Sequence, residues 1–206
     1  MYTFTYIAIT ILGAASYIVG VWKILKSRYS PSVFSRVVWV LLTINSFAGV
    51  ILSKSSPASV LLGAILLAGN AAMCIVSFSK GTKEIGKLEY VCLFLLAISV
   101  IIWVFFRAPL VNLGISLFAH FIGAAPTYKK VWRNPASEDL TFWVLFFLAS
   151  LLSVLISDFS SPKTILLPLY YTFFEGSMVV LVLRGFYKKP FLFSRNFFQF
   201  KSKGSI

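Results

Sequence analysis

Long apolar runs alternate with short polar connections along almost the whole chain. Each run is close to the roughly 20 residues that an α-helix needs to cross the hydrocarbon core of a bilayer. The runs predict seven helices, at residues 5–25, 35–53, 57–79, 88–106, 109–131, 139–157 and 162–185. A backbone in lipid must satisfy its own hydrogen bonds, and the alternating pattern of a membrane barrel is absent from these runs. The pattern therefore predicts an all-α membrane protein with seven transmembrane helices.

Composition supports the same class. Of the 206 residues, 59% are hydrophobic and 12% are charged, whereas soluble domains carry about 25% charged residues. We therefore expect a single membrane domain in contact with the lipid bilayer. The net charge of +13 comes from basic residues in the short connections rather than from one basic stripe, so nucleic acid is not an expected partner.

The basic residues also predict an orientation. Sixteen of them lie on one side of the predicted helices, in the 1–2, 3–4 and 5–6 connections and the C-terminal segment, with Arg36 counted in the 1–2 connection. The connections on the opposite side contain only Lys54, Arg107 and Lys163. Because cytoplasmic loops are rich in Lys and Arg, the split predicts an outside N-terminus and a cytoplasmic C-terminus. The aromatic and basic tail, 186–206, is expected either to lie along the inner headgroup surface or to remain an unstructured tail.

The two ends of the chain are similar to each other. Shifts of 104 residues, and of 105 further along, superpose Pro31 on Pro135, Trp39 on Trp143, Pro57 on Pro162 and Asn70 on Glu175. Residues 1–79 therefore form one three-helix repeat, residues 108–185 form a second, and residues 80–107 contain a linker helix. Because three helices are an odd number, a second copy that followed directly would be inverted in the membrane. The linker helix crosses the membrane once more, so the two three-helix bundles are parallel.

The segment from Gly123 to Trp143 resembles the PQ-loop signature, in which a proline and a glutamine precede a basic stretch, a polar loop and a helix. Pro126 matches the proline, whereas Thr127 stands in place of the glutamine. With the helix layout, the chain resembles the SWEET and PQ-loop transporter superfamily. The resemblance implies alternating-access transport of a small polar solute of the sugar or amino-acid class, with Pro126 and Gly123 as a hinge.

Polar groups inside a bilayer are costly and tend to mark function. Glu175 is the only acidic residue deep in a predicted helix, and Asn70 is its repeat mate. The resemblance implies that both contact the solute. A carboxyl group also leaves a cationic substrate or proton coupling open.

Three further residues are candidate solute contacts. His120 is the only histidine and is expected either to meet Glu175 or to bond a backbone carbonyl. Asn45 lies in the middle of helix 2. Tyr171 lies one turn before Glu175 and is expected to stack on a substrate ring or to pack within the bundle.

Other function classes fit less well. A receptor like the KDEL receptors, which share this architecture, is the alternative, although it needs several cationic side chains in its cavity. An enzyme is not expected, because one histidine and one deep carboxylate cannot fill a catalytic metal site. Cys74 and Cys92 read as small buried hydrophobes, so no metal and no cofactor are predicted. The sequence leaves a homo-oligomer open.

Overall fold

A computed structural model describes residues 2–27, 31–81, 83 and 86–188, leaving aside the side chains of 88 and 186–188. Of the predicted tail, 186–188 continue the last helix, and 189–206 lie outside the described residues. A 3₁₀ turn, Pro135–Ser137, precedes the seventh helix. The α-helices of the described part are α1 Tyr2–Leu25, α2 Val33–Leu52, α3 Pro57–Lys80, α4 Lys87–Phe106, α5 Pro109–Gly123, α6 Ala125–Arg133, α7 Leu140–Leu155 and α8 Pro162–Lys188.

Most of these helices are long and apolar enough to cross a bilayer. Within the described ranges there are six such spans, with α5 and α6 together forming the one at Pro109–Arg133. Helix α7 is apolar but has 16 residues, and at about 1.5 Å per residue it is shorter than the hydrocarbon core. The chain is therefore an all-α, multi-pass membrane protein, and the seventh crossing stays a prediction.

Serine side chains fix where α2 and α3 begin. The Ser32 and Ser56 side chains accept hydrogen bonds of 3.2 Å from the N–H groups of Ser35 and Ser59, at the starts of α2 and α3. These caps satisfy N–H groups that the first turn of a helix leaves unpaired. Because Ser32 is the cap, α2 begins at Val33.

The prediction of one continuous helix over 109–131 is wrong. Helix α5 ends at Gly123, and α6 begins at Ala125 with Pro126 in its first turn. Proline removes a backbone hydrogen bond when it lies inside a helix and is favoured in the first turn, which fits the break at Ala124, although α8 accommodates Pro168 in its interior. A Cβ atom on Gly123 would lie 3.1 Å from Cys92 Sγ and 3.3 Å from Trp39 Nε1, so the glycine allows these side chains to pack closely.

Six of the helices pack side by side in a closed ring. Going round it, α1 contacts α3, α3 contacts α2, α2 contacts α5, α5 contacts α8, α8 contacts α7, and α7 contacts α1. Helix α4 lies outside the ring against α5 and α2, and α6 packs against α8. Helix α3 also contacts α8 and α7 across the ring, so the interior is narrow.

The α1–α3 and α5–α8 contacts differ in character. The first is close, since a Cβ atom on Gly69 of α3 would lie 2.1 Å from the Tyr17 ring of α1. The second is filled by aromatic rings, with His120 of α5 centred 5.0 Å from Phe174 and 5.8 Å from Tyr170 of α8. Large rings therefore separate α5 from α8, whereas glycine lets α1 and α3 meet.

Candidate functional site

A cavity opens at one end of the ring, where α1 ends and both α2 and α7 begin. We call this the basic end, after Lys23, Arg36 and Lys130. The cavity encloses about 630 Å³ when its open mouth is included. Its lining combines charged, polar and aromatic side chains, including Lys23, Arg36, Trp39, Met73, Thr127, Ser137, Glu138, Asp139 and Trp143.

Ion pairs line the cavity wall. Lys23 Nζ of α1 donates to Asp139 Oδ2 at the start of α7, and Lys130 Nζ lies 2.5 Å from Glu138 Oε1. Burial raises the pKa of Asp139, but hydrogen bonds from Lys23 and from the N–H of Phe142 at 3.0 Å outweigh it, so the pKa lies below its usual value. The carboxylate thus joins α1 to α7 in its charged form.

The Asp139 pair predicts a pH-dependent contribution to stability. A carboxyl whose pKa is lowered by folding stabilises the protein above its unfolded pKa of about 3.9, and the contribution is lost as pH falls through the folded pKa. Asp139→Asn should therefore lower the thermal unfolding temperature most at neutral pH and progressively less below about pH 4. In a Lys23→Gln background the pH dependence should shrink. A difference between wild type and Asp139→Asn that is constant with pH would contradict this assignment.

Arg36 is a cavity residue, although the charge count above grouped it with the 1–2 connection. It lies in the first turn of α2 with 7% of its surface exposed. It lines both the main cavity and an adjoining one that includes Pro126 and Lys130. Its guanidinium carbon lies 5.2 Å from the centre of the Trp39 ring. Sequence reasoning counted Arg36 only as a topology signal, although the predicted helix over 35–53 already contained it.

Aromatic and apolar side chains form the inner part of the cavity. Trp39 of α2 and Trp143 of α7 both line it, together with Met73 of α3. Trp143 is 4% exposed, and its Nε1 atom is buried with no hydrogen-bond partner among the described residues. The cavity wall therefore contains two indole rings, and the N–H donor of Trp143 has no hydrogen-bond partner among the described residues.

Asn70 lies further along the ring axis than this cavity. It precedes Met73 by one turn of α3, which ends at the basic end, and it does not line the cavity. Its side chain is buried, and Nδ2 donates to the Tyr17 hydroxyl at 3.3 Å. Asn70 thus faces the interior of the bundle rather than lipid.

Glu175 is also inside the bundle. Its side chain is 5% exposed, and its Oε2 atom is buried without a hydrogen-bond partner in the described part of the chain. It shares a face of α8 with Tyr171, four residues earlier. Tyr171 is 1% exposed and packs against Phe146 and His120, with ring centres 6.1 and 5.4 Å away. In this conformation Tyr171 is a packing residue, while Glu175 is an unpaired polar group.

His120 has a partner that the sequence did not predict. Its Nδ1 atom lies 2.8 Å from the Tyr170 hydroxyl, so neither Glu175 Oε2 nor a backbone carbonyl is the partner of that nitrogen. The imidazole lies among aromatic rings, 4.8 Å from Trp39 and 5.0 Å from Phe174 between centres. His120 thus connects α5 to α8.

Asn45 belongs to a different buried cluster. Its Nδ2 atom, which has two hydrogens to donate, has three acceptor oxygens within hydrogen-bonding distance: Ser99 Oγ of α4 at 2.8 Å, Asn112 Oδ1 of α5 at 3.0 Å and Ser116 Oγ. Buried polar groups that are mutually satisfied fix a unique packing arrangement. Asn45 therefore holds α4 against α2 and α5, away from the cavity at the basic end.

Hydrogen bonds join α3 and α8 at the opposite end of the ring. Ser59 Oγ donates to the Thr164 carbonyl at 2.7 Å, and Ser56 Oγ donates to the same carbonyl at 3.2 Å. Ser55 Oγ donates to the Lys163 carbonyl. Helices α3 and α8 lie across the ring from each other, and these bonds join their first turns. The interior of the ring is therefore closed at the end where these two helices begin.

Among the residues that the structure describes, no three His, Cys, Asp or Glu side chains come together as metal ligands. No protein-family model, no curated protein and no solved structure matches the chain. The function proposed below therefore depends on the sequence and the geometry of this chain.

Proposed function

We propose that the chain is an alternating-access transporter of a small polar solute, of the sugar or amino-acid class. The observation that carries this proposal is the cavity at the basic end, combined with the hydrogen bonds that join α3 and α8 at the opposite end. A transporter needs an interior that is open to one side while it is closed to the other. Asn70 and Glu175 lie between the two ends, at the depth where repeat transporters bind their substrates.

The proposal includes two parallel repeats, α1–α3 and α5–α8, with α4 as the linker. Exchanging α1 with α5, α2 with α7 and α3 with α8 leaves the neighbour order of the ring unchanged. Repeat mates also have similar surroundings: Trp39 and Trp143 both line the cavity, and Asn70 and Glu175 are both buried. Such agreement supports a two-fold axis along the membrane normal.

The conformational change would open the far end and close the basic end. Opening requires the Ser56 and Ser59 hydroxyls to release the Thr164 carbonyl, and closing would bring the cavity walls together around Trp39 and Trp143. The break at Ala124, between Gly123 and Pro126, is where the α5–α6 span can bend. We assign the basic end to the cytoplasm from the distribution of Lys and Arg.

Uptake into proteoliposomes tests the transport function. Labelled sugars and amino acids would be supplied with and without a pH gradient, and at least one should accumulate above empty liposomes. Asn70→Ala should reduce its uptake. If proton coupling operates through Glu175, Glu175→Gln should retain uptake but lose the response to the gradient. Absence of uptake for every solute would contradict the proposal.

The second candidate is a seven-helix receptor like the KDEL receptors. One observation favours it, because Lys23 and Arg36 both line the cavity, and cationic side chains can hold a peptide carboxylate. Tight binding of a short peptide with no uptake of any solute would identify the receptor. Transport of a small solute would exclude it.

A further inference from the structure

We propose that the cavity at the basic end recognises a carboxylate group, held by the Arg36 guanidinium with the Trp143 indole N–H and the Ser137 hydroxyl. The inference deepens the proposed function by naming the chemical class of the solute, and it rests on that function. It replaces the broad sugar or amino-acid class with solutes that carry a carboxylate.

Arg36 supplies the charge. An arginine that is 93% buried sits in a site where an anionic partner interacts strongly, because the local dielectric constant is low. Its planar guanidinium presents several N–H donors in a fixed fork that matches the two oxygens of a carboxylate. The Trp39 ring, 5.2 Å from the guanidinium carbon, supports that plane within the cavity.

Two further donors line the same cavity. Trp143 Nε1 and Ser137 Oγ are both buried and have no hydrogen-bond partner in the described residues. An indole N–H can only donate, and a buried donor without a partner destabilises the structure. An oxygen-rich ligand would satisfy both groups, whereas a ligand that only donates hydrogen bonds would leave them unpaired.

Two acidic side chains of the cavity wall form ion pairs with lysines. Asp139 is paired with Lys23, and Glu138 is paired with Lys130. A cationic ligand would have to displace a lysine from one of these pairs, while a carboxylate would meet carboxyl groups that are already neutralised. The guanidinium and the two donors without partners therefore favour a ligand group that is anionic and accepts hydrogen bonds.

The test measures binding independently of transport. The full-length protein, purified in detergent, is titrated with acetate, glycine and benzoate, and with the uncharged or amide counterparts acetamide, glycinamide and benzamide. Thermal unfolding and tryptophan fluorescence report binding, and inorganic phosphate forms a separate arm. We expect saturable stabilisation by at least one carboxylate and at least about tenfold weaker binding of its amide, since one charge-assisted hydrogen bond accounts for that factor.

Variants assign the binding to Arg36. Arg36→Gln should weaken carboxylate binding at least about tenfold, and Arg36→Lys should restore only part of it because the fork is lost. Trp143→Phe, which keeps the ring and removes the donor, provides a second variant should Arg36→Gln fail to fold. Arg184→Gln is the matched control, since Arg184 also lies over a tryptophan, 4.0 Å from the Trp132 ring centre, but does not line this cavity. It should bind like wild type.

Three results would overturn the inference: amides that bind as tightly as carboxylates, phosphate as the only anion that binds, or unchanged binding in Arg36→Gln or in Trp143→Phe. Failure of the transport proposal would look different. Carboxylate binding that depends on Arg36 but occurs without uptake would retain this site and reject transport. Sugar uptake without carboxylate binding would reject this site and retain the transport proposal.

Discussion

Leucine in place of Glu175 is expected to make the folded protein more stable and to abolish solute uptake. The Glu175 Oε2 atom is buried without a hydrogen-bond partner, and such a group costs about 1–3 kcal/mol. Leucine removes this cost and fills a similar volume. It also removes the polar group that is proposed to contact the solute. Thermal unfolding in detergent and proteoliposome uptake measure the two effects.

Glu89→Leu is the matched control for stability. Glu89 Oε2 accepts a 3.0 Å hydrogen bond from the Gly86 N–H at the start of α4, and the Ser35 hydroxyl donates to Oε1. Removing a carboxylate that is bonded should destabilise the protein, in the opposite direction to Glu175→Leu. A Glu175→Leu variant that unfolds at a lower temperature than wild type would contradict the assignment of Glu175 as an unpaired group kept for function.

Gly69→Ala is expected to be severely destabilising, by about 3 kcal/mol or more, which is the upper range for overpacking a core. The new Cβ atom would lie 2.1 Å from Cγ and Cδ2 of Tyr17. The Tyr17 ring cannot easily move away, because its hydroxyl accepts a hydrogen bond from Asn70 and its edges contact Phe142 and Phe146. Thermal unfolding of the purified variant measures the loss.

Gly114→Ala controls for the general effect of alanine in a helix. Nothing lies within 4 Å of a Cβ atom at Gly114, and alanine is favoured over glycine in helices by about 1 kcal/mol. This variant should therefore be as stable as wild type or more stable. Equal stability of Gly69→Ala and wild type would show that α1 and α3 are not in the close contact described above.

Local sequence features predicted much of the helix layout. Helices α3 and α8 begin at Pro57 and Pro162, as predicted, because proline is favoured in the first turn of a helix. The start of α2 was placed two residues too late, since the Ser32 cap was overlooked. Arg36 already lay inside the predicted helix, but it was used only as a topology signal. The helix over 109–131 was predicted as continuous with a hinge at Gly123 and Pro126, and the structure ends one helix and begins another between these two residues.

The partners of the polar residues were harder to predict. Burial of Asn70 and Glu175 inside the bundle is what the cost of polar groups in lipid leads one to expect, while their contact with a solute stays a prediction. Periodicity tells which residues share a helix face but not which neighbouring helix that face meets. His120 bonds Tyr170, and Asn45 bonds Ser99 of α4, and spacing along the sequence alone could indicate neither pairing.

The central claim is that one interior site is reached in turn from both sides of the membrane. Single cysteines at Thr127, Asn70 and Ile75 would be introduced with the buried Cys74 and Cys92 replaced, and a membrane-impermeant thiol reagent applied to vesicles of each orientation. Thr127 lines the cavity at the basic end, Asn70 lies deeper, and Ile75 is 70% exposed on the outer face of α3.

We expect Thr127→Cys to react only from the side of the basic end, Asn70→Cys to react from both sides, and Ile75→Cys, which faces lipid, to react from neither. Protection of Asn70→Cys from both sides, or reaction from one side only, would contradict alternating access.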